Sequence, residues 1–150
     1  MKQIRFTKDG YEKLEKELAD LIKQRPAVIE DLQKARELGD LKENGYYKAS
    51  RGKLTFIDGR IFRIKMSMKQ AVIVEDSAEQ IVTIGKTVTL LVNGKELVYS
   101  FVGDLEANPS EGKISLLSPL GKALENKKVS EEIEFETPAK KIIYKIIAIK

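Results

Sequence analysis

Two runs of apolar residues, each stepping by alternate threes and fours, dominate the first half of this chain. Leu14, Leu18, Leu21, Val28, Leu32 and Ala35 form the first, with Arg25 standing in the gap; Leu54, Ile57, Ile61, Ile64, Met68 and Ala71 form the second. That spacing keeps a narrow apolar stripe on one side of a helix, the pattern of a coiled-coil seam. Thr7, before Lys8-Asp9-Gly10, is placed to cap the first helix, which runs to about Leu38. Pro26 removes one backbone hydrogen bond and predicts a bend. Helices of about 30 residues, rising 1.5 Å per residue, reach roughly 45 Å each. With only a short break between them they must pack antiparallel, because neither stripe can bury itself alone.

From Val72 onward the period shortens towards two. Thr87 to Val92 and Glu96 to Val102 are strand-like runs flanking Asn93-Gly94, a strong hairpin signal. Lys113 to Leu117, Glu132 to Thr137 and Lys141 to Ile149 add three strands, the last two separated by a turn at Pro138-Ala139, and Pro119 opens a short helix through Leu124. The alternating residues Val88, Leu90, Tyr99 and Phe101 read as core. The coiled-coil pattern is lost between Val74 and Ile84, which divides the chain into residues 1–76 and 77–150. The expected class is α+β: an antiparallel helical hairpin, then a small antiparallel sheet domain carrying a short helix.

Composition narrows the chemistry. Among 150 residues there is no cysteine, so disulfides, thiolate nucleophiles and cysteine zinc sites are excluded. There is no histidine either, which removes the commonest general base. Any reactive site must use carboxylates, amines, hydroxyls or a hard, oxygen-liganded cation such as Mg²⁺. A charged fraction of 33% and a net charge of +4 suit a solvated surface, and no apolar run reaches the length of a membrane span. Met1-Lys2-Gln3-Ile4 begins no signal peptide, so the expected location is the cytoplasm.

The break between the two helical runs reads Gly39-Asp40-Leu41-Lys42-Glu43-Asn44-Gly45. A helical hairpin of this length is too costly in ordering to exist for stability alone, which directs attention to its tip. Asp40 and Glu43 admit two readings. As Asp-x-x-Glu they match a capping box that starts the second helix. As two carboxylates on one face of a turn, they match an incomplete site for a divalent cation. Alone they hold Mg²⁺ weakly, so a partner must supply further ligands.

The residues 39–47, GDLKENGYY, resemble the tip motif of the GreA/GreB transcript cleavage factors of bacterial RNA polymerase, whose usual form is close to Gly-Asp-Leu-Ser-Glu-Asn-Ala-Glu-Tyr. FTKDGYEKLEKEL is similar to that family's opening, Ala35-Arg36-Glu37 to its approach to the tip, and Phe56-Ile57-Asp58-Gly59-Arg60-Ile61 to its second helix. Val102-Gly103-Asp104 and the run from Ile114 to Leu124, ISLLSPLGKAL, resemble its second signature. The resemblance implies a coiled-coil domain followed by an FKBP-like domain that docks at the rim of the polymerase secondary channel while the coiled coil enters it. It further implies that Asp40 and Glu43 help hold a second Mg²⁺ and its water beside the polymerase's own acids, so that backtracked RNA is hydrolysed near its 3′ end. The chain would then be no enzyme itself; it would stimulate the polymerase's endonucleolytic activity, as a monomer with no membrane partner.

Three positions depart from that pattern. Tyr46 stands where a further acid is common, and either stacks on an RNA base or packs the tip. Gly45 replaces a frequent alanine, and Lys42 places a positive charge between the acids, which weakens cation binding. From Tyr46 to Lys69 seven basic residues stand against one acid, Asp58. Lys48 and Arg51, nearest the tip, resemble the family's RNA-contacting patch. Asp104, Ser118 and Pro119 lie in segments resembling its polymerase-docking loops. An alternative of the same architecture is an inhibitor that occupies the channel without promoting cleavage. Prolyl isomerase activity is disfavoured, since the chain has no tryptophan and no aromatic cluster to line a proline pocket.

Overall fold

The computed structural model describes residues 2–39, 44–75 and 77–150. In chain order it contains β1 (Ile4–Phe6), α1 (Lys8–Glu37), α2 (Gly45–Lys69), β2 (Ala71–Ile73), β3 (Thr87–Val92), β4 (Lys95–Val102), a 3-10 turn (Pro109–Glu111), β5 (Lys113–Ser115), α3 (Pro119–Leu124), β6 (Glu132–Glu136) and β7 (Lys141–Ile149). The chain divides into two compact units, one of Met1–Tyr11 with Ala71–Lys150 and one of Glu12–Gln70. The class is α+β, an N-terminal helical hairpin followed by a sheet domain.

In the helical unit the two apolar stripes meet as their spacing requires. Leu21, Val28, Ile57 and Ile64 are buried together, with Leu14, Leu18, Leu54, Ile61 and Met68 packed around them. α1 continues through Pro26 as one helix of 30 residues. Arg25, the polar residue in the seam, forms a two-pronged ion pair with Asp58 of α2, with Nε and Nη2 donating at 2.6 and 3.2 Å. Arg60 makes the equivalent pair with Glu17 of α1, at 2.6 and 2.9 Å. Such forked pairs fix register as well as adding attraction, because both N–H groups must meet both oxygens at once.

The second stripe ends sooner than its spacing predicts. α2 stops at Lys69, Gln70 closes it by donating to the Ser67 and Met68 carbonyls, and Ala71 begins β2 instead of extending the seam. Ala71-Val72-Ile73 pair in parallel with Ile4-Arg5-Phe6. Two β-branched residues and an available partner strand here outweigh a weak helical preference.

The sheet unit has five strands in the order β5-β4-β3-β7-β6. Asn93 and Gly94 both have positive φ (51° and 77°), as a tight hairpin turn requires, and β3 and β4 pair antiparallel across it. β5 lies parallel to β4, so the sheet is mixed where the sequence suggested antiparallel strands throughout. The ten-residue connection from Gly103 to Gly112 provides the crossover that parallel pairing needs. The predicted third strand is also shorter: after Ser115 the chain turns, with Leu117 N–H donating to Ser115 Oγ at 3.0 Å. Val88, Leu90, Phe101, Ile133, Ile146 and Ile149 cover one face of the sheet, and Leu116 and Leu124 close the core over them. Tyr99 is half-buried at its margin.

Two acids following β4 secure the N-terminal strand in this unit. Asp104 accepts from Arg5 N–H at 2.6 Å and pairs with the Arg5 guanidinium at 3.0 Å. Glu106 accepts from Thr7 N–H at 2.8 Å and from the Thr7 hydroxyl. Thr7 in turn caps α1, its Oγ accepting from Gly10 N–H at 3.0 Å. A Cβ at Gly10 or Gly103 would collide with the Glu106 carboxylate, so both glycines keep that space open.

Candidate functional site at the hairpin tip

The loop joining α1 to α2 begins where the apolar stripe of α1 ends. Ala35 is fully buried, and its carbonyl accepts from Leu38 N–H at 3.2 Å. Gly39 follows with φ +115°, a left-handed conformation that glycine adopts without strain. Asp40, Leu41, Lys42 and Glu43 lie outside the described residues, so the expected metal-holding acids are placed by sequence alone. The chain resumes at Asn44, which is extended (φ −81°, ψ 101°) and caps α2. Its Oδ1 accepts from Tyr47 N–H at 3.0 Å. Its Nδ2 donates to the Ala35 carbonyl at 2.9 Å. Asn44 therefore supplies the side-chain cap of α2, taking one of the N–H groups that the first turn leaves without an intrahelical partner. Asn44 is the signal the Asp-x-x-Glu pattern obscures: asparagine is among the preferred N-cap residues, and it stands three before Tyr47.

Around this neck, Tyr47 is half-buried with the Arg36 guanidinium above its ring, 6.0 Å from the centroid. Tyr46, its neighbour, is 46% exposed. Lys48 and Arg51 are exposed on the first turns of α2, and neither forms an ion pair among the described residues. Further along the hairpin, the hydrogen bonds from Arg60 and Arg25 hold the Glu17 and Asp58 carboxyls below the usual carboxylate range. Both acids are consumed in cross-hairpin pairs. No group of three or more acids that could hold a metal occurs among the described residues.

The three expected docking residues have distinct settings. The Asp104 side chain is 5% exposed and committed to Arg5. Ser118 caps α3, its Oγ accepting from Gly121 N–H at 3.0 Å and donating to the Ser115 carbonyl at 2.7 Å. Pro119 occupies the first helical position and is exposed. Glu106 carries no local sequence signal for its role, since its partner Thr7 is 99 residues away.

A helical hairpin and a mixed-sheet unit define a two-unit α+β protein, and comparison with known proteins gives its family. The family model described as transcription elongation factor, N-terminal, matches residues 4–73, and that described as transcription elongation factor GreA/GreB, C-terminal, matches residues 77–150. The chain belongs to the GreA/GreB family of transcription elongation factors. It is 41% identical over 150 residues to transcription elongation factor GreA of Bacillus anthracis (strain CDC 684 / NRRL 3495), covering 97% of this chain and 95% of that protein. It is likewise 41% identical over 154 residues to GreA of Geobacillus kaustophilus (strain HTA426), covering 99% and 98%. Among solved structures, GreA factor homolog 1 of Thermus thermophilus matches at 28% identity over 99% of both chains, with a TM-score of 0.47. No described helix is long and apolar enough to cross a membrane.

Proposed function

We propose that this chain binds bacterial RNA polymerase, inserts its helical hairpin into the secondary channel and stimulates the polymerase's own hydrolysis of backtracked nascent RNA. The observation that carries this reading is the run Gly39-Asp40-Leu41-Lys42-Glu43-Asn44 at the turn of a helical hairpin in a GreA/GreB family chain. Asn44 already caps α2, which weakens the purely structural account of the two acids.

Asp40 and Glu43 are hard oxygen donors of the type Mg²⁺ takes, and two are too few to hold it alone. They would share the cation with acids of the polymerase. When bound there, such a cation lowers the pKa of its water and stabilises the entering and leaving oxygens of the phosphodiester. Lys42 tempers the negative field of the pair. Lys48 and Arg51 offer positive charge to phosphates near the RNA 3′ end, and Tyr46 offers an exposed ring for base stacking. Docking at the channel rim falls to the surface around Pro119. Ser118 shapes that turn, and Asp104 contributes by holding its own loop through Arg5.

The test uses stalled, backtracked elongation complexes. The wild-type chain is expected to shorten the RNA, while Asp40→Asn and Glu43→Gln slow that shortening by about 100-fold and leave thermal stability unchanged. Slower nucleotide addition without RNA shortening by the wild-type chain would instead establish the channel-blocking function.

A further inference from the structure

We propose that Asn44 is a positioning residue for the tip, a clasp that holds the two ends of the acid-bearing loop together; the proposal rests on the transcript-cleavage reading for its functional consequence. The distinguishing observation is that one planar amide serves both helices. Oδ1 accepts from Tyr47 N–H on α2 at 3.0 Å, and Nδ2 donates to the Ala35 carbonyl on α1 at 2.9 Å. Rotating the amide by half a turn would set Oδ1 against a carbonyl oxygen and Nδ2 against an N–H, so the two partners fix its orientation. Capping needs only the acceptor. Serine, threonine or aspartate meets that need about as well, and none of them can give Ala35 an N–H.

The anchor on α1 is firm. Ala35 is fully buried at the end of the packed seam, and its carbonyl also receives Leu38 N–H at 3.2 Å. The end of α1 and the cap of α2 are therefore tied to each other through one side chain. Two acids that must meet a cation held by another macromolecule lose effect steeply with displacement, about 100-fold for an ångström of misplacement. A clasp at the neck sets where both acids start from, while its neutral amide takes no part in the chemistry.

The decisive variant is Asn44→Ser, which retains a cap oxygen and removes the second polar atom, Nδ2; its single shorter hydroxyl, engaged at Tyr47 N–H, leaves the Nδ2 position beside the Ala35 carbonyl empty. In the free full-length chain, amide hydrogen exchange at Leu38 is expected to accelerate at least tenfold, with Tyr47 within twofold of wild type. On backtracked polymerase, the maximal cleavage rate is expected to fall at least tenfold, the half-saturating concentration of the chain to stay within twofold, and added Mg²⁺ to restore part of the rate. Unchanged exchange at Leu38 overturns the clasp. An unchanged maximal rate alongside accelerated exchange overturns its positioning role, as does a loss confined to Asn44→Ala, which marks Asn44 as a cap alone. If the wild-type chain itself produces no RNA shortening, the cleavage reading fails separately, and the exchange measurement alone decides whether the clasp exists.

Discussion

Glu106 shows how one side chain dictates its neighbours. Its carboxylate takes both the N–H and the hydroxyl of Thr7, and it fills the space left by the missing Cβ atoms of Gly10 and Gly103. Replacing it with alanine strands two donors and is expected to cost about 1–3 kcal/mol in urea denaturation. A double-mutant cycle gives a sharper check. Gly10→Ala should destabilise the wild type, because the three atoms nearest the new Cβ all belong to the Glu106 carboxylate; in a Glu106→Ala background that penalty should shrink, with the helix preference for alanine over glycine, up to about 1 kcal/mol, acting the other way. Gly103→Ala should remain destabilising in both backgrounds, since its Cβ also falls 2.6 Å from the Arg5 carbonyl, which cannot move aside. None of this was legible in the sequence. Local pattern marks Thr7 as a cap, but the acid that completes it comes from a loop 99 residues on.

Among the elements, the helical hairpin was the most legible, because its spacing of threes and fours repeats for many turns. Arg25 looked like a fault in that stripe; it is the partner of Asp58, and Arg60 answers Glu17 in the same manner. The Glu17 and Asp58 carboxyls are held below their ordinary range. Their contribution to hairpin stability is thus fully present above the ordinary carboxylate pKa and is lost as pH falls through the lower folded-state values. Helical circular dichroism followed by heating should show a loss of stability on the acid side, as pH falls below the ordinary carboxylate pKa of about 4. Glu17→Gln with Asp58→Asn should flatten that limb; an equally steep limb in the double variant would place the acid sensitivity elsewhere. Both pairs are substantially exposed, so the effect is modest and shrinks in high salt. The misread element was the end of the second stripe, where Ala71 fits the helical repeat and yet pairs with Ile4. Strand pairing between distant segments leaves no periodic trace in either.

At the scale of the whole molecule, the segments flanking the helices in sequence belong with the sheet domain. Met1–Tyr11 and Ala71–Lys150 form one compact unit, whereas the sequence pattern places its division at residue 76. A fragment of residues 77–150 would lack β1, β2 and the Arg5 partner of Asp104. It is expected to unfold at lower urea concentration than the sheet domain of the full chain; an identical midpoint would show that the N-terminal strand adds nothing. What the residues determined unaided is whatever repeats or is locally encoded: two helices with one apolar stripe each, the Asn93-Gly94 hairpin, the Pro119 helix start, and a pair of acids at the one break in the helical rhythm. Only the tertiary structure decided which strands pair and in which sense, that Asp104 and Glu106 fasten the N-terminus, and that Asn44 joins α1 to α2. The reason is physical: a period or a turn is a property of adjacent residues, whereas a hydrogen bond between distant ones exists only after the chain has brought them together.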